Sequence, residues 1–137
     1  MTTYLLYTNT CVYILNGKFL TATERFLKCA KSDVKIPSVV LYELYYGAEK
    51  SQQRERNLGK IRTFISELEI VPFDEQAAEC AGKIRANLER NGQVIGGNDM
   101  LIAAVALANN ASLVTNNTRE FERVSGLVIE NWVQQGE

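Results

Sequence analysis

Residues 95–121 read IGGNDMLIAAVALANNASLVTNNTREF, and this stretch decides the fold. Every residue from Met100 to Ala108 is apolar, so a helix over this range has no polar face and should run through the middle of the domain. Asn98 is predicted to cap the helix, and Asn109-Asn110 to end it in the left-handed conformation. The β-prone residues 111–115 then predict a buried strand.

One residue of this stretch does not match its neighbours. Asp99 is a carboxylate in the first turn of a helix that is otherwise apolar. An acid at that position stabilises the helix dipole by roughly 0.3–1 kcal/mol, and this effect alone can account for it. A role in chemistry becomes the better explanation only if other acids converge on the same place.

Composition limits the chemistry that is available. The chain has no histidine, which excludes Ser-His and Cys-His catalysis and histidine-bound metals. Cys11, Cys29 and Cys80 are widely spaced and form no C-x-x-C pair, which excludes a zinc ribbon and favours buried free thiols in a reducing compartment. No apolar run is long enough for a membrane span, so we expect a soluble cytoplasmic protein with one domain over residues 1–137.

The net charge of −1 gives no general attraction to a polyanion. Charge is distributed unevenly, however, because residues 49–62, EKSQQRERNLGKIR, carry a net charge of +3. A basic helix of this kind is most simply a solvated face. The alternative is a surface that follows a phosphate backbone, with Lys50, Arg54 or Arg56 steering the phosphates.

Predicted strands and helices alternate along the chain. Strands are predicted at residues 4–7, 34–36, 70–71, 111–115 and 127–130, and helices at residues 11–15, 21–31, 39–46, 53–67, 75–90 and 100–108. Caps are predicted at Thr8-Asn9-Thr10, at the Thr21-x-x-Glu24 capping box, at Ser38 and at Asp74. This alternation predicts an α/β fold with a central parallel sheet of four to five strands, covered by helices on both faces.

In such a sheet the functional crevice lies beyond the carboxyl ends of the strands. Thr8-Asn9 follows the first strand and Asn116-Asn117 follows the fourth, while Glu43 lies in VVLYELYYG, the helix after the second strand. Glu43 either faces water or is paired, because a buried lone carboxylate is costly. Together with Asp99 it becomes a candidate oxygen ligand for Mg²⁺ or Mn²⁺.

Four segments carry a resemblance to a known family. They are TYLLYTNTCVYILNGK (3–18), SVVLYELYYGAEKS (38–51), IGGNDMLIAA (95–104) and LVTNNTREFERVSGLVIENW (113–132). In order and spacing they resemble the PIN-domain toxins of bacterial toxin–antitoxin pairs, the VapC-like ribonucleases. The resemblance covers almost the whole chain, and the last segment is especially specific.

The resemblance implies a metal-dependent endoribonuclease that cleaves structured RNA, either tRNA or ribosomal RNA. It also implies Mg²⁺ or Mn²⁺ as cofactor, a cognate small antitoxin that blocks the site, and a homodimer or a hetero-oligomer with the antitoxin. Glu43 and Asp99 match the family's second and third acidic positions, Asn117 stands at the fourth, and Glu120 lies close enough to assist. The residues expected to bind substrate are Thr8, Asn9, Thr115, Lys50 and Arg54.

The first acidic position does not match the family. Where the family has L-L-D-T-N, this chain has Leu5-Leu6-Tyr7-Thr8-Asn9. A phenol with a pKa of about 10 replaces an ionised carboxylate, which removes one negative charge and one metal ligand. Tyr7 is either natural or an introduced inactivating change. In both cases we expect a weakened or inactive nuclease.

A second hypothesis places the chain in another functional class. It would be a catalytically dead protein with the toxin fold that binds an antitoxin and modulates repression of its operon. Tyr42, Tyr45, Tyr46 and Phe64 could then form an apolar groove for a partner helix. The simpler explanation of these rings is that they belong to the core.

Overall fold

The computed structural model describes residues 2–133, in which strands and helices alternate. The strands are β1 (Tyr4–Leu6), β2 (Val34–Pro37), β3 (Glu69–Val71), β4 (Ser112–Val114) and β5 (Ile129–Glu130). The helices are α1 (Thr8–Asn16), α2 (Leu20–Lys28), α3 (Ser38–Glu49), α4 (Arg54–Ile65), α5 (Glu75–Arg90), α6 (Gly97–Ala108) and α7 (Thr118–Phe121), with a short 3-10 helix at Lys31–Asp33. Within residues 2–133, no helix combines the length and apolar character needed to span a membrane.

The five strands form one parallel sheet in the order β3-β2-β1-β4-β5. The first strand is central, since Tyr4 pairs with Val34 of β2 on one side and with Ser112 of β4 on the other. The chain therefore builds outward to one edge and then to the other, and right-handed crossovers place the helices on opposite faces. The predicted α/β fold is confirmed, with five strands.

Helix α6 forms the centre of the core, as its sequence predicts. The side chains from Ile102 to Ala106 have no exposed surface. The helix ends as predicted, because Asn110 takes a left-handed φ of 51°. Strand β4 follows at once and is also fully buried, so the apolar stretch contributes both a core helix and a core strand.

The predicted ends of α5 are also confirmed. The Asp74 carboxylate accepts a hydrogen bond of 3.0 Å from the backbone N–H of Ala77, which satisfies one free donor of the first turn. Gly92 follows the helix with a φ of 65°, a conformation that glycine adopts without strain.

The other predicted caps are wrong. Helix α1 begins at Thr8 itself, with Tyr7 at the N-cap position. Helix α2 begins at Leu20, so Thr21 lies inside its first turn, and it ends at Lys28 rather than Lys31. Asn98 lies inside the first turn of α6, which begins at Gly97. In each case the chain enters the helix earlier than a polar side chain would mark, because packing onto the sheet fixes the start.

Ser38 is a further incorrect cap with a clear reason. Helix α3 begins at Ser38 and runs through Gly47 to Glu49, beyond its predicted end. The Ser38 hydroxyl accepts a hydrogen bond of 3.2 Å from the backbone N–H of Phe73 instead. A tertiary partner has therefore taken the oxygen that local pairing would have used.

The cysteine and tyrosine predictions hold only in part. All three thiols are free, but Cys11 is buried whereas Cys29 and Cys80 are partly exposed. Tyr42 and Tyr46 are not core residues, because 58% and 57% of their surfaces are exposed. Among the described residues, no ring contact joins a tyrosine of α3 to Phe64, which packs 5.4 Å from Phe26 instead. Tyr45 and Phe64 are partly buried against the core, as the simpler explanation predicts, whereas Tyr42 and Tyr46 face solvent.

We expect Leu113→Ala to lower the free energy of unfolding by about 2–5 kcal/mol, because Leu113 is fully buried in β4 and the smaller side chain leaves a cavity. Urea denaturation measures the change. Leu27→Ala is the matched control, since Leu27 is 71% exposed and should change stability by less than about 0.5 kcal/mol. Equal effects of the two substitutions would contradict the placement of the core.

Candidate active site

The order of the strands reverses between β1 and β4, and the candidate site lies where these two strands end. The backbone N–H of Tyr7 donates a hydrogen bond of 2.9 Å to the carbonyl oxygen of Val114, so the residue that follows β1 lies beside the end of β4. In open parallel sheets, ligands bind at this reversal point. Side chains from α3, α6 and α7 converge on Tyr7 here.

Tyr7 fills the middle of the site. Its hydroxyl donates a hydrogen bond of 2.7 Å to Oδ1 of Asp99. Its ring meets the buried ring of Phe121 edge-on, with centroids 5.1 Å apart. The residue at the family's first acidic position is therefore locked between a carboxylate and the core, with one oxygen of Asp99 engaged.

Glu43 reaches the site from α3 and is held there by two hydrogen bonds. Its Oε1 accepts a hydrogen bond from the hydroxyl of Thr8, and its Oε2 accepts one of 3.4 Å from the amide nitrogen of Asn98. Helix α3 thus presents Glu43 to the first turns of α1 and α6. Because Asn98 precedes Asp99, the two predicted acids lie in one neighbourhood rather than in separate regions.

Glu120 of α7 and Asn117, the residue before α7, complete the site. Oε1 of Glu120 accepts a hydrogen bond of 3.0 Å from the backbone N–H of Gly96, and Oε2 accepts one of 2.5 Å from the amide of Asn117. Thr115 has no exposed surface, and its hydroxyl accepts a hydrogen bond of 2.9 Å from the backbone N–H of Asn117. The residue predicted to touch substrate is therefore buried, and it acts on the site by orienting the segment that carries Asn117.

Two residues of the site were not predicted from the sequence. They are Gly96 and Asn98, the second of which is a hydrogen-bond partner of Glu43. A Cβ at Gly96 would lie 3.4 Å from Oδ2 of Asp99 and 3.8 Å from Oε1 of Glu120. Both are ordinary van der Waals distances, so a Cβ would fit there, and Gly96 contributes to the site through the hydrogen bond from its backbone N–H to Glu120. The available signal was position, since both residues lie within three places of Asp99.

The acids raise one another's cost of ionisation. Burial raises the pKa of Asp99 to about 6, and a hydrogen bond with Glu120 and the charges of Glu120 and Glu43 add to the rise, although the Tyr7 hydroxyl opposes it. The folded environment therefore disfavours the ionised form of Asp99.

Two neighbours of Asp99 have shifted pKa values of their own. Burial, the hydrogen bond to Asp99 and the surrounding negative charges raise the pKa of Tyr7 well above its usual value, so the phenol stays protonated. Burial acts to raise the pKa of Glu120, but the hydrogen bonds from Gly96 and Asn117 outweigh it and hold that pKa below its usual value.

Basic side chains compensate this charge only in part, since the charge of Arg123 helps to lower the pKa of Glu120. Across residues 2–133, none of the ion pairs involves Glu43, Asp99 or Glu120. Over the same range, no three His, Cys, Asp or Glu side chains are arranged as a ready-made metal-binding group. The acids that converge on Tyr7 therefore face one another without a protein cation between them.

The predicted substrate residues are only partly brought to this site. Thr8 touches Glu43, and Asn9 lies next to it in α1, where its side-chain oxygen accepts a hydrogen bond of 3.3 Å from the hydroxyl of Thr10. The basic residues have partners elsewhere. Lys50 lies 4.7 Å above the ring of Tyr46, and Arg54 pairs with Glu49 and Glu55.

Because the pKa of Asp99 is raised from its ordinary value of 3.8 to about 6 in the folded protein, the folded state loses stability as the pH rises through this interval. Asp99→Asn removes that loss. Between pH 4 and pH 7.5 we expect the unfolding free energy of Asp99→Asn to increase by about 1 kcal/mol relative to that of the parent. This value is reduced because solvent screens the charge of a half-exposed group. Urea denaturation at each pH measures this.

Glu120→Gln is the matched variant for this experiment. In the parent the Glu120 carboxyl has a lowered pKa, so its ionisation favours the folded state. As the pH rises, the difference in unfolding free energy between Glu120→Gln and the parent should therefore change in the opposite direction. A constant offset across the pH range for Asp99→Asn would contradict the electrostatic description of the site.

Comparison with known proteins identifies the family. The family model described as PIN domain matches residues 4–127. The chain is 44% identical to "Ribonuclease VapC2" of Rickettsia felis over 130 residues, which cover 94% of this chain and 97% of the relative. It is 45% identical to the "tRNA(fMet)-specific endonuclease VapC" of Shigella flexneri over 132 residues, 96% of this chain and 99% of that protein.

Solved structures agree with the sequence matches. The VapBC2 complex of Rickettsia felis, bound to a DNA fragment from its promoter, contains a chain that superposes with a TM-score of 0.90 at 43% identity, covering 96% of this chain and 99% of that one. DNA-bound VapBC from Salmonella typhimurium gives the same TM-score at 45% identity and the same coverage. The chain therefore belongs to the PIN domain family and, within it, to the VapC group.

Proposed function

We propose that this chain is the toxin of a toxin–antitoxin pair and a Mg²⁺- or Mn²⁺-dependent endoribonuclease that Tyr7 weakens or inactivates. The observation that carries the proposal is the convergence of Glu43, Asp99 and Glu120 at the reversal point of the sheet, where none of them forms an ion pair with any residue from 2 to 133. Nuclease relatives of the VapC group support the reaction class. We place the reaction in the cytoplasm, where RNA substrates are found.

The donor set suits a hard divalent cation. Carboxylate oxygens of Glu43, Asp99 and Glu120 and the side-chain oxygen of Asn117 are the ligands that Mg²⁺ and Mn²⁺ prefer. The raised pKa of Asp99 supports the same view, because a nearby cation would relieve the repulsion that raises it. When bound, such an ion supplies an activated water and stabilises charge on the phosphodiester.

The chain's own residues would divide the remaining work. Asp99 and Glu43 would hold the ion, and Glu120 would fix the Gly96 backbone while its charge adds to the site. Thr8 and Asn9 lie at the rim and could contact RNA, while Lys50 and Arg54 could steer phosphates from the end of α3 and the start of α4. Tyr7 opposes all of this, because its hydroxyl engages Oδ1 of Asp99 and its ring fills space beside it.

The substrate and partner classes follow from the relatives. We propose tRNA or ribosomal RNA as substrate, with tRNA(fMet) as the first to test, since that substrate is named for the Shigella relative. A cognate antitoxin is the proposed protein partner, in a homodimer of the toxin or a hetero-oligomer of both proteins, because the matching structures are VapBC complexes.

A second candidate function is favoured by the Tyr7–Asp99 hydrogen bond. A site held closed in this way suits a catalytically dead toxin fold that binds its antitoxin and modulates repression of the operon. Promoter-bound complexes of relatives fit that role. Copurification with an antitoxin is expected under both functions, so cleavage after reversion separates them.

We expect Tyr7→Asp to raise RNA cleavage in Mg²⁺ or Mn²⁺ by on the order of a hundredfold or more, since it restores a missing ligand and frees Oδ1 of Asp99. Cleavage of tRNA(fMet) and ribosomal RNA is followed by gel. Tyr7→Phe, which removes only the hydroxyl, and the double change Tyr7→Asp with Asp99→Asn serve as inactive controls. If purified Tyr7→Asp cuts no RNA, the nuclease proposal is wrong; if the parent cuts equally fast, the inhibitory role of Tyr7 is wrong.

We also expect Mn²⁺ to stabilise Tyr7→Asp more than the parent. Without an ion, the added carboxylate increases repulsion and lowers the melting temperature. At a hundredfold excess over its dissociation constant, Mn²⁺ should add about 2.7 kcal/mol to the unfolding free energy. Thermal melting with Mn²⁺ and then with excess chelator tests this, and an Mn²⁺ response that is equal in both proteins would count against the proposed ligand set.

A further inference from the structure

Glu43 is held at both oxygens by neutral donors from two different helices. Thr8, at the start of α1, donates to Oε1, and Asn98, in the first turn of α6, donates to Oε2. An ionised carboxylate can only accept hydrogen bonds, so the amide nitrogen of Asn98 faces it and the amide oxygen faces away. The Glu43 side chain is therefore clamped between α1 and α6.

The two groups that donate to Glu43 are uncharged, so they leave the negative charge of the site in place. A lysine or arginine in place of either donor would form an ion pair with Glu43 and would compete with a divalent cation. An amide and a hydroxyl fix the carboxylate without cancelling its charge. A long side chain held in advance also loses less conformational entropy when a ligand binds.

Asn98 has a second property that Thr8 lacks, because it is the residue directly before Asp99 in the same helical turn. The amide that holds Glu43 is thus joined by one peptide bond to the other principal acid. Asn98 therefore links Glu43 of α3 to the turn of α6 that carries Asp99.

We propose that Asn98 is a positioning residue that orients Glu43 toward Asp99, so that both carboxylates serve the same divalent cation. The proposal rests on the proposed function, since it assigns Asn98 a part in assembling the ion site. Asn98 itself is exposed and binds no buried group, so its removal should leave the fold intact.

The test uses the full chain carrying Tyr7→Asp, with and without Asn98→Ala. We expect Asn98→Ala to weaken Mn²⁺ binding about tenfold, measured from the electron paramagnetic resonance signal of free Mn²⁺, because partners that orient ligands have effects of this size. The kcat for RNA cleavage at subsaturating Mn²⁺ should fall with it, and the KM for RNA should not change.

Two further variants sharpen the experiment. Asn98→Ser carries a hydroxyl too short to span the distance to Glu43 and should show the same loss of Mn²⁺ affinity. Asn91→Ala is the matched control, because Asn91 is exposed and donates a weak hydrogen bond of 3.5 Å to Asn87 at the far end of α5. It should leave Mn²⁺ affinity and kcat unchanged.

Two results would overturn the proposal. One is unchanged Mn²⁺ affinity in both Asn98 variants. The other is a raised KM for RNA with Mn²⁺ affinity intact, which would make Asn98 a substrate contact. Failure of the proposed function looks different, since the Tyr7→Asp parent would then neither bind Mn²⁺ nor cleave RNA.

Discussion

Repulsion between carboxylates at one edge of the sheet is the constraint on which this site depends. Glu43, Asp99 and Glu120 come from three helices and meet around Tyr7. In the part of the chain that the structure describes, none of them forms an ion pair. The site tolerates them through neutral donors, namely a phenol, a hydroxyl, two amides and one backbone N–H. Such donors stabilise a carboxylate but do not cancel its charge. Burial, together with the hydrogen bond to Glu120 and the charges of Glu120 and Glu43, therefore raises the pKa of Asp99 to about 6.

The apolar scaffold makes this arrangement possible. Helix α6 and strand β4 are buried almost completely, so the folded state has hydrophobic stabilisation to offset the unfavourable electrostatics at the helix start. Tyr7 contributes to the same balance, because its ring packs on Phe121 while its hydroxyl stabilises Asp99. Tyr7 therefore joins the core to the carboxylates of the site.

Long-range pairing explains most differences between the predicted and observed local structure. Asn98 and Ser38 both have the side chains of helix caps, and local energetics favour that use. In the folded chain Asn98 donates to Glu43 and Ser38 accepts from Phe73, partners that lie 55 and 35 residues away. Asp74 pairs within its own helix, where it accepts from the backbone N–H of Ala77, and its predicted cap is present. Thr115 follows the same rule, since burial turns an expected substrate contact into a support for Asn117.

The sequence alone predicts the α/β class, residues 100–108 of the core helix and the strand that follows it, because periodicity and apolar runs are local properties. Residue type also makes Glu43, Asp99 and Glu120 candidate acids. The sequence also exposed the departure at Tyr7, which is a matter of residue type alone. Only the tertiary structure decided that the Tyr7 hydroxyl would engage Asp99, that Asn98 would hold Glu43, and that Tyr42 and Tyr46 would face solvent. These outcomes depend on side-chain direction across elements far apart in the chain, and spacing along one helix or strand carries no information about it.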